Sequence, residues 1–198
     1  MRDIWYADNR DLVKWAVLLN LAADYDLAAV VQVGFLRPGS EGPRLLCDDK
    51  EVPFPTAVWQ HFRTPGRVTA LTAGRKPEII VIEDIFDPNS RGLYVSRVLA
   101  TISQLKHNPK AVLLDPDTGI APSVPKAEHV TPEEIRAFWS ALLPGDWLVV
   151  YQHASRVFHW RDAGRARFAN VVASAAVTTF RSPDVALDVA FYAAQKTP

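Results

Sequence analysis

Apolar and polar positions follow two rhythms along this chain. Over residues 11–25, Leu12, Trp15, Leu18, Leu19 and Ala22 recur at three- and four-residue spacing, which predicts an amphipathic helix. Residues 28–36 (AAVVQVGFL) are then short, β-branched and nearly all apolar, the pattern of a strand covered on both faces. The turn-forming RPGSEGP at 37–43 ends it. Residues 45–54 fit neither rhythm, and 56–63 read as a short helix stopped by TPG.

Residues 78–85 (EIIVIEDI) form a second apolar strand, with Pro77 before it and DPNS after it. Asn89 or Ser90 starts a helix running to about Lys106, its apolar face made by Leu93, Val95, Val98, Leu99 and Ile102. The strand at 110–114 runs into DPDTG. Thr131-Pro-Glu-Glu combines a threonine cap, proline in the first turn and Glu134 to complete a capping box, and the helix it starts ends near Leu143. DWLVVY at 146–151 is another buried strand, left by QHASR. A helix over 161–174 follows, and then an antiparallel hairpin of 176–180 and 185–193. Strands alternating with helices predict an α/β fold, a three-layer, mainly parallel Rossmann-like sheet closed by that hairpin. The whole chain, 1–198, reads as a single domain with an irregular excursion over 37–77.

Composition changes this picture little. Apolar residues at 48% and charged residues at 22% are ordinary for a globular domain, which argues against disorder. Lys and Arg total 22 and so do Asp and Glu, which leaves room for a local basic patch but not for a generally basic nucleic-acid-coating surface. Cys47 is the only cysteine; it excludes an intrachain disulfide and a cysteine zinc cage, and suits a reducing compartment. The charged first residues lack the apolar core of a signal peptide, and the apolar runs fall short of the roughly 20 residues of a membrane span. A soluble cytoplasmic protein is the expectation, with no partner chain or oligomeric state specified.

Ligands of open α/β sheets bind beyond the carboxyl ends of the strands. Arg37, the pair Glu83 and Asp84, the pair Asp115 and Asp117, and the pair Gln152 and His153 all follow apolar strands, so they are expected to converge. In DPDTG, proline fixes the direction of Asp115, and Gly119 is free to take positive φ. Three chemistries fit. Asp115, Asp117 and Glu83 could hold Mg²⁺ for a nuclease or phosphotransferase. Asp115 alone could accept a hydrogen bond from an amino group about to be alkylated. Asp117 and Thr118 could instead satisfy turn amides.

His153 is a candidate general base, metal ligand or structural donor. His129 and His159 read as loop residues, and His61 and His107 as surface or helix-end ones. The pairs Trp5/Tyr6 and Trp15/Trp59 could stack on a base or simply pack. No GxGxxG follows a strand and no GxxxxGK[ST], HExxH or CxxC occurs, which argues against a nicotinamide enzyme or a P-loop ATPase.

Asp11 and Lys14 with Trp15, the LDPDTG of 114–119 and YQHASR of 151–156 resemble a set of short bacterial and phage proteins of uncharacterised activity. More distantly, Asp8-Asn-Arg-Asp-Leu-Val-Lys-Trp followed by a strand and then LLDPD resembles the class I S-adenosylmethionine-dependent methyltransferases, of the ribosomal-RNA adenine-N6 type. That resemblance implies a methyltransferase-like fold, action on nucleic acid or a nucleotide, and Asp115 at the reacting group. Lys14 and His153 would share its cleft, with S-adenosylmethionine lying against Asn9, Asp11, Gly34 and Arg37. The chain departs from the family by lacking an acidic residue and glycine-rich turn after the first strand, and by Asp117-Thr118 in place of proline and an aromatic. A binding domain that keeps only the fold is the remaining alternative.

Overall fold

The computed structural model describes residues 8–37, 45–47, 50–52, 65–174 and 176–198. The helix read over 56–63, the residues Trp5, Tyr6, Trp59 and His61, and most of the excursion at 37–77 lie outside them. In chain order, helix α1 (Asn9–Asp24) leads into β1 (Ala29–Val33), and β2 (Leu45–Cys47) pairs antiparallel with β3 (Lys50–Val52). A 3-10 segment (Pro65–Thr72), β4 (Glu78–Ile82), helix α2 (Arg91–Gln104) and β5 (Lys110–Leu114) follow. Then come β6 (Gly119–Ile120), β7 (His129–Val130), helix α3 (Pro132–Ala141), β8 (Trp147–His153), helix α4 (Trp160–Val172), β9 (Thr178–Phe180) and β10 (Val189–Gln195).

The main sheet has six strands in the order β4-β1-β5-β8-β10-β9. β4, β1, β5 and β8 are parallel, while β10 runs antiparallel to both its neighbours. This is the three-layer, mainly parallel sheet with a C-terminal antiparallel strand pair that the sequence predicts. Every residue of β1 and β5 is buried, and their side chains alternate between two cores. Val31, Val33, Val112 and Leu114 pack with Tyr94, Val98, Ile135, Phe138 and Phe168 from α2, α3 and α4. Val30, Ala111 and Leu113 face the other way, onto Trp15, Leu18, Leu21 and Ala22 of α1.

The capping box at Thr131 and Glu134 forms as predicted, and Arg91 adds a bidentate grip on Glu134 at 2.9 and 2.6 Å. Two amphipathic faces need correction. Leu12 is 63% exposed and Leu93 67% exposed, because the helices are rotated so that Lys14 and Tyr94 point inward instead. At the amino ends of β5 and β8, buried Lys110 and Asp146 pair at 2.9 Å and lock the sheet edge opposite the site. No helix among the described residues is long and apolar enough to cross a membrane.

Candidate functional site

The carboxyl ends of β1, β5 and β8 open into a cleft of about 560 Å³, and the start of α1 forms one wall of it. Asp8 caps α1, accepting from the backbone N–H of Arg10 at 2.8 Å and of Asp11 at 3.0 Å. That cap sets the helix phase. Arg10, Asp11 and Lys14 consequently line the cleft, while Asn9 is exposed and is not among the lining residues. Gly34 likewise is not among the lining residues.

Lys14 is the centre of the site. Its side chain is 3% exposed and forms ion pairs with Asp11, one helical turn away, and with Asp115 at 2.7 Å. Burial alone would push its ammonium pKa down, but Asp115 and Asp11 reverse that effect and hold it above its ordinary value. Lys14 is therefore a fixed cation rather than a base. Gln32 of β1 donates to the same oxygen of Asp115 at 2.6 Å, so Oδ2 is held from two sides. Among the described residues no hydrogen bond is made to Oδ1 of Asp115, and Asp115 lines the cleft. Tyr151 stands beside this group, its ring centroid 5.8 Å from the Lys14 ammonium. Burial raises its phenol pKa above the usual range, which keeps it a donor.

A second charge cluster forms the far wall. Arg10 donates to Asp188 at 3.1 and 2.5 Å, and His153 places Nε2 at 3.0 Å from the same carboxylate oxygen. Burial pushes the Asp188 carboxyl up, but the Arg10 guanidinium and His153 outweigh it and hold the group below its ordinary value. The other nitrogen of His153, Nδ1, lies 3.2 Å from the carbonyl of Ala154. Both ring nitrogens of His153 thus lie within hydrogen-bonding distance of an oxygen, one of them on the far wall of the cleft. Arg37 binds Asp117 across the mouth.

Arg37, Asp115, Asp117 and His153 thus converge as expected, but Glu83 and Asp84 do not. β4 lies two strands from β5, about 10 Å at ordinary strand spacing, and Glu83 is exposed there. Asp84 faces Arg97 at 3.7 Å. The Mg²⁺ set of Asp115, Asp117 and Glu83 is accordingly not assembled, and among the described residues no group of three His, Cys, Asp or Glu could hold a metal ion. Gln152 turns away from the cleft to brace the DPDTG turn, accepting from Ile120 N–H at 3.0 Å and donating to the Thr118 carbonyl at 3.0 Å.

The residues that the sequence reading missed are Asp8, Arg10, Gln32, Tyr151 and Asp188. One signal was available for Asp188. A strand antiparallel to its neighbours begins at the edge where they end, so the residue just before β10 must sit beside the end of β8.

No family model matches the chain, and no curated protein matches it. A solved structure from Thermobifida fusca YX, described as a "putative methyltransferase", is similar at 12% identity and a TM-score of 0.46, over 96% of this chain and 80% of that one.

Proposed function

We propose that the protein is a methyltransferase-like enzyme acting on an amino-bearing base of nucleic acid or a nucleotide, with Asp115 at the reacting nitrogen. The observation that carries this reading is the state of Asp115: its Oδ2 is immobilised by Lys14 and Gln32 in a buried carboxylate that lines the cleft, an arrangement that would leave Oδ1 to accept from a ligand. A carboxylate oxygen fixed in this way distinguishes an amino group, which donates, from a carbonyl, which does not. Its orientation is set before the ligand arrives. The Tyr151 hydroxyl adds a donor for a ring nitrogen or carbonyl of the same base.

The donor set also fits S-adenosylmethionine by charge. Five carboxylates line the cleft (Asp8, Asp11, Asp115, Asp117 and Glu128) against three permanent cations (Arg10, Lys14 and Arg37), an excess of negative charge complementary to the net positive charge that S-adenosylmethionine carries from its ammonium, sulfonium and carboxylate. Glu128 would face one of the two cationic groups, and when bound that cofactor supplies an activated methyl group. The exit of β1 offers no glycine cradle, however. Phe35 turns there at φ +47° with its ring buried against Phe86 and Tyr94, so a bound cofactor would rest on side chains. During transfer, this chain's own contribution is to orient the amino nitrogen at Asp115 Oδ1, to hold Lys14 as its fixed counter-charge, and to keep Asp188 and His153 as a rigid wall.

Binding of adenosine against inosine monophosphate, and of cytidine against uridine monophosphate, tests the amino-group preference. Preference for the amino-bearing member by about tenfold or more is expected, since a hydrogen bond to a charged group contributes about 1.5–3 kcal/mol. Asp115→Asn should reduce that preference. A methyl-labelled donor with an oligonucleotide reports transfer directly. Equal binding of both members of each pair, with no label transferred, would refute the reading. A thermal-midpoint rise with Mg²⁺ alone, abolished in Asp115→Asn/Asp117→Asn, would favour the metal-dependent alternative instead.

A further inference from the structure

Beyond His153, which ends β8 and lines the cleft, the chain continues into an exposed lip. Phe158 is 85% exposed, and Val157 before it and Leu187 in the connection to β10 are also exposed. Residues 155–161 (SRVFHWR) carry two arginines and a histidine, and the exposed Asp162 that follows lies 3.9 Å from His159. The lip is built, not loose. Arg161 stacks its guanidinium 4.4 Å above the Trp160 ring and donates to the Leu187 carbonyl, which ties the segment to the connection before β10. His159 sits at φ +53° with its ring 4.0 Å from that of Phe158. Ala154 N–H donates to the Asp188 carbonyl at 2.6 Å, so the same connection that supports the lip also holds the His153 and Arg10 wall of the cleft.

From this arrangement we infer that residues 156–161 form a single-stranded nucleic-acid binding surface, with Phe158 stacking on an unpaired base and the exposed Arg156 facing the phosphates. This rests on the reading of the adjoining cleft as a nucleobase site and specifies its substrate class. A wholly apolar lip would suit a lipid surface or a second copy of the chain. Here the exposed Phe158 ring lies two residues from the exposed Arg156 guanidinium, and this pairing of stacking face and positive charge is complementary to an unstacked strand. A duplex keeps its bases stacked and offers Phe158 no partner, so single strands are the preferred form. The neutral overall charge agrees with a local contact of a few nucleotides rather than a long basic track.

Fluorescence anisotropy of the full chain with fluorescein-labelled twelve-nucleotide DNA and RNA, single-stranded and duplex, tests this. Single strands should bind more tightly than duplexes. Phe158→Ala should weaken single-strand binding about five- to a hundredfold, the usual loss for one stacked base, whereas Phe158→Trp should retain it. Arg156→Gln should lower the salt dependence by about one phosphate contact. Phe158 is too exposed for its removal to unfold the protein. No single-strand binding by the wild type, equal binding by Phe158→Ala, or a dimer in sedimentation that Phe158→Ala abolishes would overturn the inference. The two proposals fail separately. Amino-selective mononucleotide binding without oligonucleotide binding keeps the Asp115 site and overturns the lip. Oligonucleotide binding that depends on Phe158 but not on Asp115 keeps the lip and overturns the Asp115 reading.

Discussion

Replacing Lys14 with methionine tests whether the centre of the cleft is an electrostatic unit. The substitution preserves length and apolar stem but leaves Asp11 and Asp115 as buried carboxylates lacking the ammonium placed between them. Removing one member of a buried ion pair costs about 3–5 kcal/mol, because the remaining charge cannot recover its hydration. For a chain of this size each kcal/mol moves the midpoint by about 2–4 °C, so Lys14→Met should unfold roughly 6–20 °C below wild type. Calorimetry or circular dichroism melts read this directly. The triple variant Lys14→Met/Asp11→Asn/Asp115→Asn should be more stable than Lys14→Met alone, since the whole ionic set is neutralised together. A loss below about 1 kcal/mol, or further destabilisation by the two asparagines, would refute the account.

The DPDTG turn should be sensitive to a single methyl group: at Gly119, φ is +109° and a Cβ would lie 2.5 Å from the Gln152 side chain, so Gly119→Ala should cost about 2–5 kcal/mol through backbone strain and overpacking together. Gly74→Ala is the control, at φ +76° with nothing within 4 Å, and should show only the strain of about 1–2 kcal/mol; equal thermal shifts for both would remove Gln152 from the explanation. Asp188 titrates below its ordinary value, so its ion pairs stabilise the fold at pH above about 4 and lose that effect as pH falls. The midpoint gap between wild type and Asp188→Asn should be flat near neutrality, at most about 4 °C for so exposed a pair, and should close in acid; a gap that widens on acidification would contradict the assignment.

The strands were legible because burial on both faces leaves an unmistakable apolar run, as in β1 and β5, and the helices because period and caps agreed, as at Thr131. Strand order was not legible, and that is why Glu83 was grouped with Asp115: both follow apolar strands, yet β1 stands between their strands. The helical face of α1 was misjudged for a more instructive reason. A strict apolar stripe would have turned Leu12 inward and Lys14 outward, and the protein does the reverse. Burying an ammonium and two carboxylates where Leu would pack well is a departure from the cheapest core, and it is retained where the charges meet an opening of the sheet. The same logic applies to Gln32, a polar residue inside the otherwise apolar β1, whose amide is directed at Asp115. Breaks in an otherwise regular hydrophobic pattern on α1 and β1 therefore locate the cleft more sharply than DPDTG does alone, because that motif names one carboxylate while the breaks name the residues that hold it.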